Sequence, residues 1–389
     1  MGLNQTVQGY LDDAIKLRRD LHMIPEIGYT EFKTSEYICK FLDENGIFYE
    51  KNVAKTGIVA KIEGMKNQNG KTVAFRADMD ALSLSEQNDI EFKSTHKGCM
   101  HGCGHDGHMT MLMILGKHLM KHRNELAIDV VLIFQPAEEG PGGAKPMIES
   151  GFLDRYSVDE VFGIHLHPDF NTGVIAINKG PVMAMTGEFD VDIYSKSGHG
   201  AMPHTANDAM VIMSQMISQF QTIVSRNVNP TEAGVVTVGR IVAGERRNII
   251  AEHARLEGTT RAFSEDVYNL LQNRMIEISK GLELSYNCKI DVETRAMYPP
   301  VVNHESSIMA IREACKDMNI VDFPPQMIAE DFSYFLKERK GAFIFVGIKD
   351  EEKGYNEPLH NSKCNFDEKA LLYGVQCYIN LINHYGSNI

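Results

Sequence analysis

The chain has 389 residues, a length that favours two domains over a single hydrophobic core. Hydrophobic residues make up 43% and charged residues 23%, the balance of a globular protein, and the apolar runs are too short to cross a bilayer. The formal net charge is -13, which repels phosphate backbones and argues against nucleic acid as a partner. Seven scattered cysteines without a secreted-type framework predict a cytoplasmic protein.

The first part of the chain alternates helices and strands. The apolar spacing predicts helices over 7–22, 34–45 and 107–121, and strands over 57–63, 72–76, 128–134 and 160–165. Alternation of this kind is typical of a mostly parallel sheet with helices on both faces, an α/β fold.

The pattern changes after Gly180 and Pro181, where the residues of 188–194 alternate between apolar and polar. The next segments predict the order βαββαβ: strand 188–194, helix 207–226, strands 234–242 and 253–263, helix 265–283 and strand 289–293. This order is typical of a small two-layer domain inserted into a larger one. Beyond Pro299 and Pro300, the sequence predicts a helix over 306–318, a strand over 342–348 and a helix over 367–383. We therefore predict one domain formed by 1–181 and 298–389, with the insertion at 182–297.

Two short segments concentrate the side chains that bind metals. Met100–His108 contains three histidines, a cysteine and an aspartate, and Gln135–Gly140 places two glutamates side by side after a predicted buried strand. Thiolate, imidazole and carboxylate are the protein ligands of zinc and its divalent neighbours. Cys103 and His105 are two residues apart, so they face the same way if this segment is extended. One glutamate of the pair can bind a metal while the other takes a proton from metal-activated water.

Polar residues follow four of the predicted strands. In an open parallel sheet, catalytic groups gather at the carboxyl ends of the strands, so residues distant in sequence should meet at one edge. The residues concerned are Asp78, Asp80, Glu138, Glu139, His165, His167 and His360.

Motifs along almost the whole chain resemble those of one enzyme family. They are Leu17–Gly28, Arg76–Leu82, Met100–His108, Gln135–Gly140, Ser197–His204, Arg247–Ile250, Gly258–Arg261, Ala329–Phe332 and Leu359–Ser362. The chain resembles the metal-dependent aminoacylases, the family of hippurate hydrolase, indole-acetyl-amino-acid hydrolases and N-acetyl-diaminopimelate deacetylase. These enzymes are relatives of the carboxypeptidase G type metallopeptidases. The resemblance implies hydrolysis of the amide bond of small N-acyl amino acids.

The resemblance also implies roles for individual residues. It implies up to two divalent ions per subunit (zinc, manganese, nickel or cobalt) bound by Cys103, His105, Glu139, His165 and His360. Glu138 is the implied general base that activates metal-bound water.

The segment 182–297 is implied to be a lid through which the chain forms a homodimer or a tetramer. Within it, His199 is implied to stabilise the oxyanion, in cis or in trans, and Asn248 and Arg261 to bind the substrate carboxylate.

Four residues depart from the pattern of this family. Ser83 and Ser362 replace the usual prolines, Gly102 replaces a usual alanine and Ala329 replaces a common serine. None is an implied ligand, so the departures bear on substrate preference.

Some interpretations remain open at the level of sequence. Asp80 or Asp106 can accept a hydrogen bond from a metal-bound histidine, and Asp78 can either cap a helix or join the site. A dipeptidase or aminopeptidase on the same scaffold, a metal-binding regulatory protein without turnover, and a structural zinc protein are the alternative functions. The adjacent glutamates and the distant histidines favour catalysis over a structural zinc knot.

Overall fold

The computed structural model describes residues 3–387, which divide into two compact units. The first unit contains the described residues up to Gly180, Val302–Pro324, and the described residues from Tyr334 onwards. The second contains Pro181–Val301 and Pro325–Ser333, and each unit has its own hydrophobic core. The predicted insertion at 182–297 lies within the second unit, and its role as a lid stays a prediction.

The strands are numbered in chain order through the described residues. They are β1 (Phe48–Val53), β2 (Gly57–Ile62), β3 (Thr72–Asp78), β4 (Asp129–Gln135), β5 (Glu160–Asn171), β6 (Val174–Ile177), β7 (Gly180–Met183), β8 (Met185–Tyr194), β9 (Gly198–His199), β10 (Gly234–Ala243), β11 (Ile249–Ile250), β12 (His253–Ala262), β13 (Lys289–Ala296), β14 (Val301–Asn303), β15 (Asn319–Asp322) and β16 (Lys340–Lys349).

The α-helices are numbered in the same way. They are α1 (Gln5–Gln8), α2 (Leu11–His22), α3 (Phe32–Glu44), α4 (His105–Lys121), α5 (Ala144–Glu149), α6 (Phe152–Arg155), α7 (Ala209–Asn227), α8 (Glu265–Tyr286), α9 (Glu305–Ala314), α10 (Ser333–Glu338) and α11 (Lys369–Ser387).

The first unit is built on an eight-stranded mixed sheet in the order β1-β2-β4-β3-β5-β16-β6-β15. Its central strands β4, β3, β5 and β16 are parallel, whereas β1, β2 and β6 join by antiparallel pairing. Every residue of β3 is buried, as expected for a strand that is covered on both faces. The predicted α/β class with a mostly parallel sheet is confirmed.

Helix α4 is largely buried in the first unit and begins at His105, one of the predicted site residues. It packs against α2 and α11, and thirteen of its residues are buried, among them Leu112 and Met113. Helix α2 buries one stripe, which includes Ala14, Leu17 and Leu21.

The second unit has the predicted βαββαβ order, with strands β8, β10, β12 and β13. These strands form an antiparallel sheet in the order β10-β12-β8-β13, and α7 and α8 pack on it and on each other. Phe189, Val191 and Ile193 of β8 are buried, as their alternation predicts.

Two predicted helices differ from the structure, and several short elements were not predicted. The helix expected over 7–22 is divided into α1 and α2 around Gly9, a residue that weakens helices. The helix expected over 306–318 ends at Ala314, and the edge strand β15 follows at 319–322, where no element was predicted. Strand β1 was not predicted, because its mixed and largely exposed residues lack an apolar run.

Within the described residues, no helix combines the length and the apolar composition that a membrane span requires.

Candidate metal centre

The predicted site residues follow neighbouring parallel strands of the first unit. Strand β3 ends at Asp78, β4 leads into the loop that carries Glu138 and Glu139, and β5 carries His165. Because β3 is hydrogen-bonded to both β4 and β5, their carboxyl ends lie at one edge of the sheet.

The structure brings the five predicted ligands into one cluster. The donor atoms of Cys103, Glu139 and His360 all lie within 4.8 Å of one another, and those of His105, Glu138 and Glu139 do so as well. The Nε2 atom of His165 lies 3.5 Å from the Sγ atom of Cys103. Thiol, imidazole and carboxylate groups from four stretches of chain therefore meet at one point.

Two of the histidines are oriented by backbone carbonyl groups. The Nδ1 atom of His105 donates to the carbonyl oxygen of Asp80 at 2.8 Å, and the Nδ1 atom of His165 donates to that of Leu166 at 2.7 Å. A carbonyl oxygen only accepts, so each Nδ1 carries a hydrogen and Nε2 is the nitrogen that stays available to a metal. Burial lowers the pKa of His165 well below its usual range, and the charge of His108 adds to this effect.

Two buried atoms of the cluster lack a hydrogen-bond partner among the described residues. They are Nε2 of His105 and Oε1 of Glu139, although Nε2 of His360 lies 3.2 Å from the latter. Buried polar atoms without partners are rare and costly, so such atoms suggest a missing ligand. A cation between these side chains would satisfy both atoms.

The charges of the cluster also suit a cation. Burial alone would lower the pKa of His105, but the charges of Asp78, Asp80 and Glu139 outweigh it and raise that pKa to about 10. Burial raises the pKa of the Cys103 thiol, and the neighbouring glutamates raise it further. Without a metal, the surrounding negative charge thus holds protons on His105 and Cys103. A divalent ion can replace these protons.

Asp78 belongs to a buried network that the sequence left undecided. Its carboxylate accepts hydrogen bonds from Nη1 of Arg76 at 2.7 Å and from Nδ1 of His108 at 2.6 Å. The Nε2 atom of His108 in turn accepts the backbone N–H of Leu166 at 2.9 Å. Asp78 also lies 3.7 Å from Nε2 of His105, so it belongs to the site rather than to a helix cap. The feature of the sequence that could have assigned Asp78 to the site was its position at the carboxyl end of a buried strand.

The two aspartates proposed as hydrogen-bond acceptors differ in the structure. Asp80 supports the site, because its backbone carbonyl orients His105 and its carboxylate accepts the N–H of Glu139 at 3.0 Å. Asp106 instead accepts hydrogen bonds from Nε of Arg18 at 2.9 Å and Nδ1 of His22 at 2.7 Å. The interpretation of Asp106 as the acceptor for a ligand histidine is therefore corrected. One helical step from His105 turns its side chain by about 100°, away from the cluster.

The segment from Cys103 to His105 is not extended. This corrects the expectation that the two side chains face the same way along an extended segment. Gly104 has a φ of +83°, and helix α4 begins directly after it, so His105 lies in the first helical turn. The left-handed conformation favours glycine at this position. The carbonyl oxygen of Gly102 accepts the N–H of His360 at 2.8 Å, which ties the distant His360 to this turn.

The comparison with known proteins agrees with this geometry. Residues 74–384 match the profile of the family described as peptidase family M20/M25/M40. The chain belongs to this family. The match confirms the expected relationship to the metal-dependent aminoacylases and their metallopeptidase relatives. It also confirms the enzyme class, a hydrolase of amide bonds.

Several relatives of this M20 family member are similar over most of their length. It is 41% identical to an N-acetyldiaminopimelate deacetylase of Bacillus cytotoxicus, over 92% of this chain and 94% of that protein. It is 38% identical to an N-acetyldiaminopimelate deacetylase of Bacillus velezensis, over 96% and 98%. A dinuclear metal-binding M20 peptidase of Bacillus subtilis has 30% identity and a TM-score of 0.85, covering 98% of this chain and 100% of that one.

Three predicted residues of the M20 chain lie in its second unit. His199 is on β9, which pairs with β11, and the N–H of Gly200 donates to the carbonyl oxygen of Asn248 at 2.9 Å. His199 thus lies in the two-stranded sheet that β9 and β11 form, and Asn248 directly precedes β11. Arg261 lies on β12 and donates to the carbonyl oxygen of Thr260 at 2.8 Å.

Proposed function

We propose that this M20 enzyme hydrolyses the amide bond of N-acyl amino acids with two divalent metal ions per subunit. The observation that supports this best is the cluster, in which the buried Nε2 atom of His105 lacks a partner among the described residues and lies beside the carboxylates of Glu138 and Glu139. The names of the two Bacillus relatives make N-acetyldiaminopimelate one candidate substrate.

The proposed ligands are Cys103, His105, Glu139, His165 and His360, and they suit zinc, manganese, nickel or cobalt. When bound, such ions polarise the acyl carbonyl group and make water more acidic. The metal bound to the M20 peptidase of Bacillus subtilis supports a dinuclear site here.

Glu138 is the proposed general base. Its carboxylate lies within 4.8 Å of the donor atoms of His105 and Glu139, and only 8% of the residue is exposed. In this position it accepts a proton from the attacking water and then transfers it to the nitrogen of the leaving amino acid. Asp80 holds His105 and Glu139 in place, so the two neighbouring glutamates keep separate roles.

The second unit is proposed to complete the reaction. His199 would donate to the developing oxyanion, in cis or in trans, while Asn248 and Arg261 bind the carboxylate of the amino acid. A cytoplasmic homodimer or tetramer, formed through the second unit, belongs to the same proposal.

The roles of the two glutamates can be separated by matched substitutions. Glu138→Gln should lower kcat by a factor of about 10² to 10⁴, because the proton carrier is lost, and should leave the metal content unchanged. Glu139→Gln should lose metal, because a ligand is removed. The measurements are turnover of N-acetyl and N-benzoyl amino acids and of dipeptides, together with elemental analysis of the purified protein.

Each result has a clear meaning. Metal loss in Glu138→Gln would show that the two roles are reversed. Bound metal in the unaltered protein without turnover of any of these substrates would favour the regulatory alternative.

A further inference from the structure

A groove of about 500 Å³ in the first unit opens beside two of the proposed ligands, Glu139 and His360. Its apolar wall is formed by Ile27, Leu82 and Leu84. A space of this size suits a ligand much larger than an acetyl group, which has only two carbon atoms.

The side chains along the groove away from the proposed ligands favour an apolar group. Its acidic residues are Asp80 and Glu139, and none of the described residues that line it is a lysine or an arginine. The remaining basic group of the lining, His360, already pairs with Glu139 at 3.2 Å, whereas an alkyl chain gains free energy by contact with the leucines.

Gly102 lies behind this apolar wall. A Cβ atom added at Gly102 would approach Cδ2 of Leu84 at 3.1 Å and Cδ1 of Leu82 at 3.3 Å. The glycine therefore leaves room for both leucines to lie back from the groove. Gly102 and Ser83, which also lines the groove, are two of the four departures from the family pattern, and both occur at this wall.

We propose that this groove binds the acyl chain of the substrate and that Gly102 sets its width. The enzyme accordingly prefers unbranched acyl groups longer than acetyl, such as butanoyl and hexanoyl. This inference rests on the proposed hydrolysis of N-acyl amino acids and names the acyl class that this site takes.

The first test compares the N-acetyl, N-butanoyl and N-hexanoyl derivatives of one amino acid with the metal-loaded enzyme. The kcat/KM should rise with chain length, by up to about fourfold for each methylene that is buried. Gly102→Ala should reduce the hexanoyl-to-acetyl ratio by up to about threefold, because the ends of Leu82 and Leu84 must move away from the new methyl group and narrow the groove. Leu84→Asn should reduce the ratio further, because it replaces apolar surface with an amide of similar size.

A matched control makes the same chemical change elsewhere. Leu284 is 87% exposed on α8 and does not line the groove, so Leu284→Asn should leave the ratio unchanged. Thermal unfolding of every variant checks that the fold is retained. Gly102→Ala keeps the backbone hydrogen bond between position 102 and His360, so it should fold normally.

A second measurement separates this inference from the proposed function. Calorimetric binding of the N-hexanoyl and N-acetyl compounds to Glu138→Gln should favour the hexanoyl chain, and adding Leu84→Asn should remove that preference. Such binding without turnover in the unaltered enzyme would refute the proposed function and support the groove. A preference for acetyl, or a ratio that neither Gly102→Ala nor Leu84→Asn alters, would overturn the groove proposal even if turnover is seen.

Discussion

At the scale of single residues, the carboxylate of Asp106 shows how a buried charge is tolerated. Its side chain is fully buried, and it is paired with Arg18, whose guanidinium also lies 4.4 Å from the centre of the Phe366 ring. Burial raises the pKa of Asp106, but the charge of Arg18 and the hydrogen bond from His22 outweigh it and hold that pKa well below its usual range. The pair thus fixes α2 against the beginning of α4, where His105 lies.

Removal of this charge should be strongly destabilising. Asp106→Asn removes the nearer anion of the buried guanidinium of Arg18 and leaves only Glu368, whose Oε1 atom lies 3.7 Å from Nη1. The free energy of unfolding should therefore fall by about 3 kcal/mol in urea titrations at pH 7. Glu44→Gln is the control, because the Lys40–Glu44 pair spans 3.9 Å with both side chains more than half exposed. It should change stability by only about 0.5 kcal/mol. Equal effects of the two substitutions would contradict the prediction.

At the scale of elements, Glu160 joins the beginning of β5 to two helices. Its carboxylate accepts from Tyr385 of α11 at 2.7 Å, from Ser307 of α9 at 2.9 Å and from Lys71 at 2.9 Å. Burial raises the pKa of Glu160, but these three partners outweigh it and lower the pKa below its ordinary value. The stabilisation is therefore complete above the unfolded pKa, about 4.3, and is lost as the pH falls through the lower folded pKa.

Tyr385→Phe tests this connection. It should lower the free energy of unfolding by about 1.5–3 kcal/mol at pH 7, because a hydrogen bond to a charged group is lost. The loss should shrink as the pH falls below the unfolded pKa and through the lower folded pKa, where Glu160 becomes protonated. In the control Tyr49→Phe, the hydroxyl that is removed lies 3.2 Å from Asp43 at an exposed position, so the effect should stay within about 0.5 kcal/mol. A loss that grows on acidification would refute the assignment.

At the scale of the whole molecule, the two units have separate cores, and all five proposed ligands belong to the first unit. A metal that binds only the folded state stabilises it by mass action. The free energy of unfolding of the first unit should therefore rise with the concentration of the metal.

Removal of the metal should lower the melting temperature of the protein. Readdition of zinc, manganese, cobalt or nickel at about a hundred times its Kd should restore about 2.7 kcal/mol of stability. Proton release should accompany uptake, because burial raises the pKa of the Cys103 thiol and the thiol ionises when it binds. Calorimetric scans and pH-stat titration measure the two effects, and Cys103→Ala should reduce both. No shift with any of the four ions would contradict the proposed ligand set.

The sequence by itself determined the class of fold, the two-part organisation and the candidate ligands. The parallel strands and the βαββαβ order were predictable because apolar runs and alternation reflect the burial of each segment locally. Cys103, His105, Glu138 and Glu139 were recognisable because they stand close together in short segments.

Only the tertiary structure decided which partner each polar group takes. The hydrogen bonds of Asp78 to His108, of Asp80 to Glu139 and of Asp106 to Arg18 join residues from different elements. The same applies to the edge strands β1 and β15, whose few apolar residues carry little periodic signal. The physical reason is that a hydrogen-bond partner depends on which elements pack together, whereas apolar periodicity depends on each element alone.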